Sequence, residues 1–467
     1  MPRRGGDPRF GSRAEPRRVA ELEDGCLTGH DLVGRARPVA HGRYFSPPRP
    51  GVSSGGKAAR PEAVEKRPDA LGVDAEIPGA DPRERAAVDP AVRPPRADAH
   101  DDVVLEAEPG RTVASLAYTR DVKLALPALL GLVAVLGTGC QGAGSPKPGG
   151  PPHHLEGGFR NLNPAYARPD FWTRWTFVIP RLLKSTFSAR EGFPVTLNDG
   201  QALRENAGVP TVTWVGHSTL LVQLDGVSFL TDPQWSERAS PLSFAGPRRV
   251  VPPGVRFEDL PPIDLVLISH DHYDHLDAST VERLWAAHRP RFLVPLGLKA
   301  WFAELGIDGV DELDWWETRT VKGLTVVCLP AQHWSARTLW DENRRLWASW
   351  AVLGQDRRFY FVGDTGYYAP IFQEIGRRLG PFDLGAIPIG SYMPRAMMRF
   401  SHVTPEEALQ VFDDIGARRL VAIHWGTFNL ASEPLGEPPV RTEAEGRRLS
   451  LDPERIWILR HGETRPW

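Results

Sequence analysis

The chain has 467 residues, a formal net charge of −2 at pH 7 and a sequence pI near 6.7. This near-neutral balance gives no overall basic field, which argues against nucleic acid as a partner. The three cysteines, Cys26, Cys140 and Cys328, lie far apart, so the sequence holds no close cysteine pair of the kind that binds zinc or forms a redox centre.

Residues 1–121 are rich in Arg, Pro, Ala, Gly and Asp and show no sustained helical or strand period. Such a stretch cannot bury enough apolar surface to offset its conformational entropy, so the composition predicts a disordered extension. An alternative is that the segment is an error of the gene model and that translation begins near Val122.

Residues 122–140 resemble a signal peptide. An apolar run from Leu124 to Leu136 follows Arg120 and Lys123 and precedes small residues and Cys140. The run is too short to span a bilayer as a helix but suits a signal core, and its end resembles a bacterial lipoprotein site with an acylated cysteine. This predicts a lipid-anchored or periplasmic protein of the cell envelope. The alternative is a short buried helix in a cytoplasmic protein.

The remaining sequence divides into a linker and one domain. Residues 141–165 are rich in Gly and Pro and are predicted to be a linker. Residues 166–467 are predicted to form an α/β catalytic domain in which hairpin strands come first and then alternate with helices, typical of two mixed β-sheets covered by helices. The predicted strands are Thr211–Val215, Thr219–Leu224, Val227–Leu230, Leu265–Ile268, Phe292–Val294, Leu324–Leu329, Phe359–Val362, Leu384–Ile387 and Leu420–Ile423. The predicted helices are Ala278–His288, Leu298–Leu305, Ile371–Leu379 and Pro405–Ile415, the last with a capping box at Thr404 and Glu407.

A run of potential metal ligands follows one of these strands. His270, His272, Asp274 and His275 stand within six residues, directly after an apolar segment. Imidazole and carboxylate groups are ligands that zinc, iron and manganese accept. The first two histidines share one direction and the last two residues turn to another, so the loop can serve two adjacent ions.

Three further candidate ligands follow strands elsewhere in the domain. They are His333, Asp364 and His424, and each stands shortly after an apolar run. Taken singly, each is more typical of a structural residue than of a ligand. Their shared position after a strand favours a common metal site.

The order of these seven residues resembles that of the metallo-β-lactamase superfamily, which implies an αββα sandwich. By that resemblance, His270, His272 and His333 hold one divalent ion, Asp274, His275 and His424 hold a second, and Asp364 bridges the two. Zinc is the expected metal, with manganese and iron as alternatives. The resemblance implies catalytic roles for Asp364 and for Asp274, which would shuttle a proton.

Motifs outside the ligand set, from about Thr211 to Gly462, are most similar to N-acyl-phosphatidylethanolamine-hydrolysing phospholipase D. They include Thr213–His217, Leu230–Pro233, Arg238–Pro241, Gly246–Arg248, Leu260–Asp264, Asp314–Trp316, Gln332–Trp334, His424–Phe428 and His461–Glu463. The likeness implies a phosphodiesterase that cleaves N-acyl-phosphatidylethanolamine-like lipids to phosphatidic acid and an N-acylethanolamine. The implied partners are a phospholipid or other amphiphile, a membrane surface and, as an option, a second copy of the chain in a homodimer.

Other residues are weaker candidates. His402 resembles a histidine near the substrate in the related phospholipases, although Ser401 stands where those have Gln; alternatively it only bonds to backbone at a helix entry. Asp232 is a candidate acceptor for a metal-bound histidine, and His217 is a candidate for the same role or for capping a turn. Tyr392, Met393, Met397 and Met398 are candidates for an apolar substrate groove or for the core.

Two other functions remain open at this stage. One is a lactonase similar to the ascorbate-6-phosphate lactonases, whose metal order is alike. The other is a lipid-anchored binding protein with a vestigial metal site, against which the complete set of candidate ligands argues.

Overall fold

The computed structural model describes residues 144–338 and 340–467. Among these residues, the strands in chain order are β1 (His154–Leu155), β2 (Gly158–Phe159), β3 (Thr211–Gly216), β4 (Thr219–Leu224), β5 (Val227–Thr231), β6 (Leu265–Leu267), β7 (Arg291–Pro295), β8 (Val310–Leu313), β9 (Thr318–Val321), β10 (Leu324–Leu329), β11 (Ser349–Leu353), β12 (Arg358–Phe361), β13 (Leu384–Pro388), β14 (Arg419–Ile423), β15 (Ile456–Trp457) and β16 (Thr464–Pro466). The α-helices are α1 (Phe171–Thr186), α2 (Gln201–Arg204), α3 (Ala278–His288), α4 (Lys299–Glu304), α5 (Ala369–Leu379), α6 (Arg395–Met398), α7 (Pro405–Asp414) and α8 (Glu437–Arg448).

The first sheet is mixed and has the strand order β16-β3-β4-β5-β6-β7-β8. Strands β3 to β5 are antiparallel neighbours, whereas β5 to β8 run parallel. The hairpin between β4 and β5 turns at Asp225 and Gly226, which have φ angles of 51° and 76°. Two positive φ angles are what a tight two-residue hairpin turn requires, and Asp-Gly is a favoured pair for it.

The second sheet has the order β15-β14-β13-β12-β11-β10-β9 and is also mixed. Strands β9 to β12 are antiparallel, and β12 to β15 are parallel. Because parallel strands need crossovers, helices α5 and α7 connect β12 to β13 and β13 to β14.

Side chains of the two sheets meet in a central core, and helices cover the outer faces. In β6, Leu265 and Leu267 point into the core between the sheets, whereas Val266 packs on the outer face with Val281 and Leu284 of α3. This alternation follows from the period of two along a strand. A third cluster joins α5 and α7 to the outer face of the second sheet. The αββα sandwich predicted for the domain is confirmed.

Buried indoles bond across the core. Trp350 of β11 donates its Nε1–H to the carbonyl oxygen of Ile268 in the first sheet at 2.9 Å. Trp315 and Trp347 donate to the carbonyls of Trp347 and Ala331. Each ring therefore buries a large apolar surface without leaving its N–H unpaired, which favours one packing of the sheets.

Residues 144–165 differ from the predicted linker. They contain the β1–β2 hairpin, and His153 and His154 place their Nε2 atoms 2.7 and 2.9 Å from the two carboxylate oxygens of Asp314. The His153 ring also stacks on Trp315, with centroids 4.1 Å apart. Gly and Pro here serve tight turns that fold back onto the domain, so the linker prediction is wrong for these residues.

The predicted strands and helices agree with the structure to within one or two residues at their ends, and the capping box at Thr404 is present. Helices α1 and α8 were not predicted, and each contains proline. The predicted extension (residues 1–121) and signal-like segment (122–140) lie outside the described residues. None of the helices in the described part of the chain is long and apolar enough to cross a membrane.

Candidate metal centre

The ends of strands from both sheets converge at one edge of the sandwich. The loop after β6 carries His270 to His275, and the segments after β10, β12 and β14 carry His333, Asp364 and His424. The seven side chains that the sequence identified as candidate ligands lie together here, and all are buried or nearly so.

Three histidines form the first cluster. The Nε2 atom of His270 lies 2.8 Å from Nδ1 of His272, and Nε2 of His333 lies 3.3 Å from the same Nδ1 atom. Nitrogen atoms this close to one another are the arrangement expected of ligands that share one ion.

The second cluster is built around the Oδ2 atom of Asp274. It lies 3.3 Å from Nε2 of His275 and 3.6 Å from Nε2 of His424. The Oδ2 atom of Asp364 lies between the clusters, 3.2 Å from His275, 3.1 Å from His424 and 3.8 Å from His333. Asp364 is therefore in reach of both groups.

Several buried atoms of the centre have no hydrogen-bond partner among the described residues. They include Nε2 of His275, Nε2 of His424 and Oδ1 of Asp364. An unpaired buried polar atom costs about 1–3 kcal/mol, and more for a charged group. A divalent cation would satisfy these atoms together, so the residues present fit a metal centre.

Neighbouring groups fix the orientation of the imidazoles. The Nδ1 atom of His275 lies 2.6 Å from Oδ2 of Asp232, whose carboxylate also accepts the amide and hydroxyl protons of Ser269. His333 places Nδ1 3.0 Å from the carbonyl oxygen of Ser401. With a proton held at Nδ1, each ring presents a bare Nε2 to the centre.

The electrostatics favour the metal-binding protonation states of the three histidines in the first cluster and of the two carboxylates. Burial lowers the pKa of His270 and His333 well below the usual value and that of His272 to about 4, so these rings are neutral. Burial alone would raise the carboxyl pKa of Asp274 and Asp364, but the charge on His275 outweighs it and holds both well below their usual range. Neutral imidazoles and ionised carboxylates are the forms that act as ligands.

Backbone strain is concentrated at this edge. His217, Asp232 and His424 have φ angles of 53°, 34° and 61°, in the left-handed region that non-glycine residues rarely adopt. Such strain persists only where the surrounding structure fixes it, and it is common at functional sites.

A pocket of about 210 Å³ opens beside the centre. His402 lines this pocket, with Nδ1 3.8 Å from Oδ2 of Asp364, and burial lowers its pKa to about 4. The imidazole therefore faces the centre, while the backbone of His402 bonds to Met398. The lining residues are Tyr166, Arg168, Pro169, Phe177, Val178, His272, Asp274, Trp334, Asp364, Ser391, Met397, Met398, Ser401, His402 and Leu430.

Of the four residues that were candidates for an apolar groove or for the core, two line the pocket. Met397 and Met398 line the pocket. Tyr392 is fully buried away from it and donates its hydroxyl proton to Glu437, and Met393 lies at the surface.

The segment from Asn161 to Arg168 forms part of the site. No sequence pattern indicates this. Asn161 bonds to both the backbone amide and the carbonyl of His333, at 3.1 and 2.7 Å. Tyr166 and Arg168 form one wall of the pocket, and the Arg168 guanidinium lies 4.8 Å from the centroid of the Trp334 ring. These contacts span more than 160 residues of chain, and the local sequence has no motif that marks them.

Comparisons with known proteins show which proteins this chain is similar to. Residues 228–425 match the model of the β-lactamase superfamily domain. Over 230 residues the chain is 51% identical to N-acyl-phosphatidylethanolamine-hydrolyzing phospholipase D 1 of Caenorhabditis elegans, covering 47% of this chain and 65% of the worm protein. It is 31% identical over 260 residues to a metal-dependent hydrolase of Methanopyrus kandleri, covering 54% of this chain and 98% of that protein. The solved structure of Igni18, a metallo hydrolase from Ignicoccus hospitalis, matches with a TM-score of 0.42 and 22% identity, covering 56% of this chain and 98% of that one.

The chain therefore belongs to the metallo-β-lactamase superfamily and is a metal-dependent hydrolase. Within that superfamily it is close to the N-acyl-phosphatidylethanolamine-hydrolysing phospholipases D, and it spans 65% of the length of the worm enzyme.

Proposed function

We propose that the chain is a phospholipase D-type phosphodiesterase that cleaves N-acyl-phosphatidylethanolamine-like lipids into phosphatidic acid and an N-acylethanolamine. The observation that carries the proposal is the position of Asp364, which lies between two clusters of candidate ligands and also lines a pocket with largely apolar walls. The sequence identity to the worm phospholipase supports this choice of substrate.

The proposed ligands are His270, His272 and His333 for one ion and Asp274, His275 and His424 for the other, with Asp364 shared. Zinc suits this mixture of imidazole and carboxylate, and manganese or iron are alternatives. Two divalent ions bound here would lower the pKa of water held between them and offset negative charge on a phosphodiester.

The chain's own residues divide the pocket into a polar and an apolar part. Asp274 belongs both to the second cluster and to the pocket wall, so its carboxylate is placed to pass a proton beside the reacting group. Arg168 lies at the wall and forms an ion pair with Glu342, and although burial lowers its pKa to about 10, it stays protonated near neutral pH. Phe177, Met397 and Leu430 offer an apolar surface to an acyl chain.

An exposed apolar surface beside the pocket supports access from a membrane. Trp172 and Val178 of α1 and Phe187 just after it are exposed, and Val178 also lines the pocket. The loop that carries Leu242 and Phe244, both exposed, is bonded to the end of α1 through the Gly246 amide and the Thr186 hydroxyl. We name these five residues the apolar rim. An apolar surface of this kind is typical of contact with a lipid interface.

Location and oligomeric state are separate proposals. Anchoring in the cell envelope through Cys140 depends on residues outside the described part of the chain, and it remains a prediction. A homodimer likewise remains a prediction.

A direct assay tests the proposed reaction. The full chain, loaded with zinc, is incubated with N-acyl-phosphatidylethanolamine in mixed micelles, and both products are measured by mass spectrometry. Release of an N-acylethanolamine together with phosphatidic acid is the expected result. Parallel incubations with lactones and β-lactams test the alternatives; opening of a lactone with no cleavage of the phospholipid would replace the proposal with a lactonase. Elemental analysis that finds no bound metal would favour the vestigial binding protein.

A further inference from the structure

Beside the second cluster lies a buried histidine that the seven-residue ligand set leaves out. His217 follows β3 directly, and its side chain is almost completely buried. Its ring centroid lies 4.1 Å from that of His424 and 5.2 Å from that of His275. The backbone of His217 is held on both sides, because its amide donates to the hydroxyl of Thr427 at 2.7 Å and its carbonyl accepts from the amide of His424 at 3.0 Å.

We propose that His217 is a further ligand of the ion in the second cluster, through its Nε2 atom. This inference rests on the proposed two-metal centre. The Oδ2 atom of Asp274 lies 3.0 Å from Nε2 of His217, 3.3 Å from Nε2 of His275 and 3.6 Å from Nε2 of His424. Ligand atoms around a tetrahedral zinc ion with bonds of about 2.0 Å are about 3.3 Å apart. The three distances from Asp274 suit such an arrangement, and the ligand atoms of all four residues lie within 4.8 Å of one another.

The simpler alternative is that His217 only donates a hydrogen bond to Asp274. That alternative accounts for one of the three imidazoles around Asp274 and leaves the other two. The Nε2 atoms of His275 and His424 are buried and have no hydrogen-bond partner among the described residues, although both lie within 3.6 Å of Oδ2 of Asp274. A cation placed to satisfy these two atoms would also have the Nε2 atom of His217, which is closer to Asp274, among its neighbours.

With His217 as an added ligand, the two ions would have different numbers of protein ligands. The second ion would have His217, Asp274, His275 and His424 as protein ligands, with Asp364 also in reach, and would need no other partner. The first ion would have three histidines and Asp364, beside the pocket that His272, Asp364 and His402 line. With Asp364 counted for both, the second ion would have five protein ligands and the first ion four. We therefore expect the second ion to be released from the centre more slowly than the first.

The test compares metal release from the full zinc-loaded chain and three variants, with the absorption spectrum of the cobalt-substituted proteins as a second measurement. His217→Ala removes the side chain. His217→Gln keeps an N–H group that can donate to Asp274 but is a poor metal ligand. His461→Gln is the control, because His461 is equally buried and bonds to the Thr427 hydroxyl that also accepts from the His217 amide, but it is not itself one of the candidate ligands.

Wild type is expected to hold two ions, one of which a chelator removes slowly. In His217→Ala and His217→Gln the slow ion should leave faster by more than the roughly 10–100-fold expected for a change outside the ligand set, and the cobalt absorption of that site should change, while His461→Gln behaves as wild type. If His217→Gln retains wild-type release and spectrum, His217 is only a hydrogen-bond donor and the inference is wrong. A wild-type chain that binds no metal would instead refute the proposed function.

Discussion

Asp232 and His275 form a pair that is shielded from solvent, with Oδ2 of the carboxylate 2.6 Å from Nδ1 of the imidazole. The carboxylate fixes the ring so that Nε2 faces the metal centre, and it increases the basicity of that atom. For Asp232→Asn we expect metal affinity to fall roughly 10–100-fold, measured by competition with a chromogenic chelator. Asp277→Asn, which alters a buried carboxylate bonded to Ser236 instead, is the control. Equal affinities for wild type and Asp232→Asn would contradict the role assigned to the pair.

His333→Ala should abolish phosphodiesterase turnover. The variant lacks one of three imidazoles in the first cluster, so its metal content should fall from two ions towards one, as measured by elemental analysis of the dialysed protein. The loss of turnover should exceed the roughly 10–100-fold expected for a change outside the ligand set. Full activity in this variant would refute its assignment as a ligand.

His402→Ala should separate metal binding from turnover. The imidazole faces Asp364 and lines the pocket but belongs to neither ligand cluster. We expect both ions to be retained and kcat/KM to fall by roughly a hundredfold. This is the lower end of the rate enhancement that general acid–base catalysis typically contributes. Loss of an ion from this variant would show that His402 is itself a ligand, and unchanged kinetics would leave it a structural residue.

The apolar rim should control binding to vesicles. Burying one phenylalanine contributes about 1.5–3 kcal/mol, so Phe187→Ser combined with Phe244→Ser should weaken binding to phosphatidylcholine vesicles by at least about tenfold. Hydrolysis of a soluble short-chain phosphodiester should be unchanged. Leu449→Ser, at an exposed position after α8, is the control in the same sedimentation assay. Unaltered vesicle binding by the double variant would exclude the rim as the contact surface.

Asp314 should stabilise the packing of residues 144–165 against the rest of the domain. Burial alone would raise the pKa of this carboxyl, but hydrogen bonding from His153 and the charges nearby hold it below the usual value. Because the pKa of Asp314 is lower in the folded than in the unfolded chain, the ionised carboxylate stabilises the fold. This stabilisation is fully present above about pH 4, the pKa in the unfolded chain, and it is lost as the pH falls through the pKa in the folded chain. At pH 7, Asp314→Asn should therefore melt at a lower temperature and show faster amide exchange in residues 144–160. The difference from wild type should shrink below about pH 4; a difference that is independent of pH would contradict this account.

The sequence was sufficient to predict those features that depend on local pattern. The apolar runs of β4 and β10 have the predicted bounds, because both are bounded by turn residues and both are buried on the two faces of a sheet. The close approach of His270, His272, Asp274 and His275 could be predicted for the same reason, because all four stand within six residues after one strand. Their role as metal ligands stays a prediction.

Features that depend on distant contacts were missed. Nothing near Asn161 indicates that it holds the backbone of His333, 172 residues away. The contact between His217 and the second cluster likewise exists only because the end of β3 in one sheet lies next to the end of β14 in the other. Helix α1 was hidden by Pro180 within it, since proline in a sequence usually marks the end of a helix.

Strand β16 pairs with β3, so Thr464 lies opposite Thr213, and the Gly462 amide donates to the carbonyl of Trp214. A growing polypeptide therefore exposes the edge of β3 until about 250 further residues have left the ribosome. Pairing over such a sequence distance is slow, and an open strand edge can recruit other chains. Biogenesis of this hydrolase is consequently expected to depend on chaperones that shield that edge until synthesis has passed residue 466.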